Sequence, residues 1–554
     1  MKLWPVWSFI EQTMQGGGAM AETEQGGGAE DRMQGMDERP MTPQALTACC
    51  QKLFSCGEGE QAIGLAIQAA QASQDASVLL AAGMFLARCS ARHEVTVAVF
   101  RKALLLLPEA RPEMTSVRGE VKIFLAGALM AAGQNDEAMS LFMEVARTCP
   151  QHRVLVGEHL SMALLEAGLA KEAEQILAVW LRDGPPSVSL YNNMGCALER
   201  LNRSREAMTY YRKGIELSSR HEMVSFGYAI ALLKAGDYEE GFARYARRVP
   251  RMPSLDCWFY QDLPRLTKDV SLKGRHILFY QEQGLGDTIQ FIRFLPEIVR
   301  RGGRVTLAVL PSLLRLLRES YPMVQVSLIT DILEQPEQAA DYDFSCPIPD
   351  LPYICDLKGP EEIPSFSPYL EVPAQRQERF ARLVNEAVAR ERPSSGRRLR
   401  VGLVWAGDAR SSAEDVAADR RRSTSLTEML EALGPVDADL FSLQYGRRRG
   451  ELVHAAGQSV HDLMESVQDM ADTAALMESL DLVISVDTAP LHLAGALGKE
   501  VWLVSRWDAC WRWGDQGERT PWYPTMRIFR AQELSLVPVM REVGLCLKRR
   551  IAEG

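Results

Sequence analysis

The chain has 554 residues, more than one hydrophobic core serves, and roughly 100–200 residues per domain points to three or more units. Apolar residues make up 47% and charged residues 24%, an ordinary globular balance that excludes a wholly disordered or collagen-like chain. The net charge of −10 argues against a nucleic-acid binder, whose domains are strongly basic.

The N-terminus carries Lys2 and a short apolar stretch, Leu3 to Ile10, broken by Pro5 and followed by Glu11 without a cleavage pattern, so it does not read as a secretory signal. No later stretch reaches the ~20 apolar residues of a membrane span. The eleven cysteines show neither a disulfide framework nor zinc spacing and read as reduced core thiols. The expectation is a cytoplasmic protein with no transmembrane segment. Residues 12–42, with two Gly-Gly-Gly runs among Gln, Glu and Met, are too polar to bury a core, so residues 1–45 read as a disordered leader. Met20, Met33, Met36 and Met41 are alternative starts.

From residue 46 to 250 the chain repeats. Gly133, Gly168, Asn202 and Gly236 follow one another at 35, 34 and 34 residues, and five residues after each comes a small one: Ala138, Ala173, Ala207 and Gly241. Gly57 and Ala62 repeat that offset upstream, while Phe100 and Lys102 match Tyr211 and Lys213. A period of about 34 residues is that of a helix–turn–helix repeat. Glycine or asparagine suits the left-handed turn, and the small residue lets the second helix approach the first. The stretch resembles tetratricopeptide repeats, about six of them stacked into an α solenoid. The concave face of such an array commonly receives a peptide or protein segment; a scaffold or oligomerisation role is the alternative.

From residue 276 the pattern alternates. Strands are expected at 276–280, 304–309 and 324–329 and, after a polar interruption at 374–398, again at 400–405, 439–443, 481–486 and 500–504, with helices between. Strand–helix–strand with a glycine loop at the first crossover predicts parallel, doubly wound sheets. The reading is an α/β pair of Rossmann-like lobes, 251–394 and 395–554, with a ligand cleft between the carboxyl ends of their strands.

Three loops lie at those ends. In Gly284-Leu285-Gly286-Asp287 two glycines permit a tight turn, leaving Asp287 at a helix start; it is either a helix cap or a general base in the cleft. The second loop holds Gly407 and, further on, Arg420-Arg421-Arg422-Ser423, either a solvated surface run or a diphosphate clamp. In the third, Asp487-Thr488-Ala489 turns directly into a helix carrying His492; its free amides make an anion site, or else it is a capped core helix with a satisfied histidine.

The Gly-Leu-Gly-Asp loop and Val486-Asp-Thr-Ala-Pro-Leu-His-Leu-Ala-Gly-Ala-Leu-Gly-Lys499, in that order, resemble glycosyltransferase family 9, the family of the lipopolysaccharide heptosyltransferases. The tetratricopeptide fusion and the tail Trp511-Arg-Trp513…Pro521-Trp522-Tyr523-Pro524 resemble its repeat-fused bacterial subgroup, and the domain plan is also similar to protein O-GlcNAc transferases. The resemblance spans roughly residues 270–535. It implies a GT-B fold and a nucleotide-sugar co-substrate in the C-terminal lobe. It also implies inversion without a metal or other cofactor, with Asp287 as base. Donor contacts would come from Gly284, Gly286, Gly407, Ser423, Asp487, Thr488, Ala489 and His492, with Arg420 or Arg422 supplying the charge that a lysine supplies in classical heptosyltransferases. Trp511, Trp513 and Trp522 either floor the sugar or base site or serve packing. The expected function is sugar transfer to a hydroxyl on a protein docked by the repeats, of flagellin or adhesin type. The alternatives are transfer to lipopolysaccharide or another envelope glycan, and a scaffold that has lost turnover.

Overall fold

The computed structural model describes residues 42–55, 58–90, 92–109, 111, 114–249, 257–364, 368–391, 397–407, 419–454 and 459–553. Gly57, most of the expected leader and the stretch from Asp408 to residue 418 lie outside the described residues. The array already begins at Pro43, inside the segment expected to be leader.

Six helix pairs build the array: α1 (Pro43–Ser55) and α2 (Gly59–Ala72), α3 (Ala76–Cys89) and α4 (His93–Leu106), α5 (Thr115–Ala131) and α6 (Asn135–Thr148), α7 (Arg153–Glu166) and α8 (Ala170–Asp183), α9 (Val188–Arg200) and α10 (Ser204–Leu217), α11 (Glu222–Ala235) and α12 (Tyr238–Tyr245). The four periodic turn residues all adopt left-handed backbone, φ running from 56° at Asn202 to 90° at Gly236. The small residues that follow are buried where paired helices touch; Ala138, Ala173 and Ala207 are each 0% exposed. Phe100 and Tyr211 prove equivalent. Each is a buried ring of the second helix set against a glycine of the first: a β-carbon on Gly83 would lie 2.7 Å from Phe100, and one on Gly195 2.6 Å from Tyr211.

The α/β half contains two parallel sheets. The first has the order β3-β2-β1-β4, from β1 (His276–Tyr280), β2 (Arg304–Val309), β3 (Gln325–Leu328) and β4 (Phe344–Pro347). The second has the order β10-β9-β8-β5-β6-β7, from β5 (Leu399–Val404), β6 (Ala438–Ser442), β7 (Val460–Asp462), β8 (Leu482–Val486), β9 (Glu500–Ser505) and β10 (Met526–Arg530). The seven expected strands are present; the short β4, β7 and β10 were not expected. The helices that matter below are α13 (Leu285–Phe291), α14 (Pro311–Ser320), α15 (Ala374–Glu391), α16 (Leu426–Leu433), α17 (Met470–Glu478) and α18 (Ala489–Ala496).

The polar interruption read as a linker is mostly helix α15. Its Arg, Glu, Gln and Ala are good helix formers, and only a narrow stripe, Phe380 and Val384, is fully buried. Beside it the lobes are bolted by charge: Arg315 of α14 meets Asp469 and Asp472 at the start of α17, and Arg376 of α15 also reaches Asp472.

The array docks on both lobes. Tyr238, Phe242 and Tyr245 of α12 join a core shared by both lobes, and Phe242 lies 5.9 Å from Trp511 and 6.4 Å from Trp522. Two of the periodic turns meet the second lobe. Asn202 Nδ2 donates to the carbonyl of Trp507 at 2.8 Å, and Gly168 abuts Leu534. No helix among the described residues is long and apolar enough to cross a membrane.

Candidate functional site

The strand β1 exits into Gln281–Gln283, and the Tyr245 hydroxyl of the array donates to Gln283 Oε1 at 2.8 Å, bracing that loop. Gly284 is the N-cap of α13, so Asp287 is not a cap. It stands in the first turn, where a negative charge meets the positive end of the helix dipole. Its side chain is not free either: Oδ1 pairs with Nη2 of Arg512 from the other lobe. Arg512 is fixed by its Nε bond to Gln290 Oε1 at 2.5 Å and lies 4.6 Å over the Trp511 ring. Burial opposes the Arg512 charge, but Asp287 and neighbouring groups outweigh it, and its pKa is raised.

The strand β8 exits into Asp487 and Thr488, which with Ala489 are half-buried. Thr488 is the N-cap of α18 but makes no side-chain capping bond; its hydroxyl turns back to the Val486 carbonyl at 3.3 Å. Pro490 occupies the first turn, where its missing N–H costs nothing. Asp487 Oδ2 accepts from Trp513 Nε1 at 2.9 Å, and its carbonyl accepts from Arg422 Nη1 at 3.3 Å. Consecutive residues of one 3-10 turn, Arg512 and Trp513, thus hold the leading carboxylates of both lobes.

His492 is packed behind this opening. Its Nδ1 bonds the Tyr523 hydroxyl at 2.8 Å, its ring stacks on Trp513 at 5.5 Å, and only 6% of it is exposed. Burial, only partly countered by Asp487, lowers its pKa to about 4, so it is neutral near pH 7. His492, expected as a donor contact, is instead the core histidine of the alternative reading.

At the exit of β5, the Gly407 N–H donates to Ser423 Oγ at 3.0 Å, and that hydroxyl donates to Asp419 Oδ1 at 3.1 Å. Arg422 Nε also meets Asp419 Oδ1, at 3.0 Å. A β-carbon on Gly407 would sit 2.4 Å from Arg422 Nη2, so a side chain there would displace the Arg422–Asp419 pair. Gln444, absent from the expected set, braces this loop by accepting from the amides of Trp405 and Ala406 at 3.1 and 3.0 Å. Arg420 is exposed, and its charge acts on His93 of the array, where it adds to burial in lowering that pKa.

The tryptophans serve packing. Trp511, Trp513 and Trp522 are 5%, 2% and 0% exposed, and Arg293 of the first lobe donates to the Trp522 carbonyl. The tail they belong to is a wedge between both lobes and the array. A cavity of about 640 Å³ lies elsewhere, at the opposite ends of β9 and β10, lined in part by Glu500, Arg519, Thr525 and Arg527. Among the described residues no group of three or more His, Cys, Asp or Glu side chains is placed to hold a metal ion.

Residues 52–249 match the tetratricopeptide repeat family. The chain is 25% identical over 509 residues to Protein FlbA of Caulobacter vibrioides, covering 81% of this chain and 80% of that protein. Among solved structures, it is similar to a family 9 glycosyl transferase from Veillonella parvula, with 10% identity, 51% of this chain and 99% of that chain covered, and a TM-score of 0.35. It is also similar to the O-GlcNAc transferase of Thermobaculum terrenum, with 12% identity, 79% and 92% covered, and a TM-score of 0.26. The chain is a tetratricopeptide array joined to two lobes built on parallel, Rossmann-like sheets.

Proposed function

We propose that the protein is a cytoplasmic glycosyltransferase that moves a sugar from a nucleotide-sugar to a hydroxyl of a protein docked by the repeat array. The observation that carries this reading is the joint hold of one turn on Asp287 and Asp487, which sets a carboxylate of the first lobe against the helix start of the second. The donor diphosphate sits at the start of α18, where free amides and an arginine stabilise the leaving charge. Gly284 lets backbone approach the donor, Gly286 makes room for the His492 ring, and Ser423 orders the loop at Gly407. Arg512 engages Asp287 Oδ1; the described residues give Oδ2 no hydrogen bond, so Oδ2 is the oxygen that takes the acceptor proton. The displacement is direct and inverting, and needs no metal or cofactor.

The test is a transfer assay on the full chain with a panel of nucleotide sugars and candidate acceptor proteins, alongside donor hydrolysis. General-base help is typically worth ~10²–10⁴-fold, so Asp287→Ala loses at least that much turnover while donor binding persists. Near-normal turnover in that variant removes Asp287 from the mechanism. An absence of both transfer and hydrolysis favours the scaffold reading, for which the Asp287–Arg512 pair is the supporting observation. Transfer to envelope glycan but not to protein reassigns the acceptor.

A further inference from the structure

The strand register puts three loop ends side by side. Val486 of β8 lies opposite Val504 of β9, and Ser485 opposite Val404 of β5. Two residues beyond those pairings, Thr488 is therefore flanked by Arg506 after β9, and the loop after β5 borders it on the other side. That second loop turns once helically at 419–422. Successive residues of a helical turn point about 100° apart, so its three arginines diverge. Arg420 goes to solvent and Arg422 to Asp419. Arg421 goes inward to Asp508, Nε to Oδ2 at 3.1 Å.

Arg506 approaches the same carboxylate, Nε to Oδ1 at 3.2 Å. Neither contact has hydrogen-bond geometry: both Nε atoms and Asp508 Oδ1 are buried without a hydrogen-bond partner. The Arg421, Arg506 and Asp508 side chains are only 13%, 19% and 2% exposed. A third guanidinium comes from the array. Arg200, the last residue of α9, stands close enough for its charge, after burial, to help lower the Arg421 pKa to about 10. Glu199 beside it pairs with Lys234 Nζ at 2.9 Å, and its charge, with those of Asp508 and Asp487, also favours the charged form of Arg506. Two largely buried guanidiniums share one carboxylate with their Nε donors unpaired, while Arg200 donates to the Leu165 carbonyl nearby, and unpaired buried donors are costly.

We infer that Arg421 and Arg506, backed by Arg200 of the repeat array, form the cationic seat for the donor diphosphate, so that the array completes the donor site. This rests on the transferase reading and replaces Arg420 by Arg421 and Arg506 as the source of the charge. The docked turn at Asn202 is what brings Arg200 to the second lobe.

The experiment is calorimetric titration of the full chain with inorganic pyrophosphate and, separately, with UDP, ADP and GDP. Loss of a charge-assisted bond to an anion is worth about tenfold or more. Arg421→Gln and Arg506→Gln each weaken binding by that factor, Arg200→Gln weakens it less, and Arg420→Gln leaves it unchanged. Asp508→Asn tightens binding, because it frees the two guanidiniums, a change of sign that a merely structural cluster does not produce. Thermal unfolding of each variant checks that it is folded. Unchanged affinity in both Arg421→Gln and Arg506→Gln overturns the inference and leaves the transferase reading standing. Arginine-dependent binding of pyrophosphate with none of any nucleoside diphosphate keeps the anion seat and removes the nucleotide-sugar. No binding of any probe overturns both.

Discussion

A β-carbon at Gly286 would stand 2.6 Å from Cδ2 of His492. The first turn of α13 and the middle of α18, one from each lobe, therefore touch where a glycine faces an imidazole. Overpacking a close contact costs about 1–3 kcal/mol, so Gly286→Ala destabilises by that amount in urea unfolding. Gly284→Ala is milder, because its β-carbon would meet only Asp287 Oδ2, at 3.2 Å. Equal effects at the two glycines would show that the lobes do not press together at Gly286.

The Asp287–Arg512 pair joins the lobes with side chains 20% and 10% exposed. Removing one partner of a largely buried pair strands the other, at a cost of about 3–5 kcal/mol. Arg512→Ala is accordingly more destabilising alone than when added to Asp287→Ala, and the double-mutant cycle gives a coupling above about 1 kcal/mol. Strict additivity would mean that the two charges do not act on each other.

Acid should weaken the fold in a definite window. Burial lowers the pKa of His492 and of His159 from 6.5 to about 4. Between those values the unfolded chain binds protons that the folded chain refuses, so stability falls as pH drops from about 6.5 to 4 and these groups add no further loss below. His492→Gln removes its own contribution and shallows the slope of unfolding free energy against pH across that window. An unchanged slope would place the acid sensitivity elsewhere.

Asn202 has two separable duties: it takes φ 56° at a repeat turn, and it donates to the Trp507 carbonyl. Asn202→Gly keeps the first and loses the second, about 1 kcal/mol for one hydrogen bond. Asn202→Ala loses both, since a β-carbon disfavours left-handed backbone. Hydrogen exchange is expected to rise around 506–515 in both variants, and across the α9–α10 pair only in Asn202→Ala. Exchange confined to the repeat turn in both would show that this contact does not dock the array.

The amino-acid sequence alone determined the two architectures, because each follows from a local period. Turn residues near every 34th position and buried small residues five later can be satisfied only by stacked helix pairs, and short apolar runs ending at glycine loops only by parallel strands with their exits at one edge. It also brought Asp287, Gly407 and Thr488 to those exits, since strand ends are local. What it did not determine was where each side chain points. Three consecutive arginines are equivalent as letters, yet one helical turn sends Arg420 to solvent, Arg421 to Asp508 and Arg422 to Asp419. Aromatic residues at 511–523 suit a ligand floor or a core equally well by composition; only the meeting of two lobes and α12 around them made them a core. Arg512, Gln444 and Arg506 escaped notice for the same reason: their partners lie far away in the chain, and a contact across such a distance exists only once the sheets, the wedge and the array have packed.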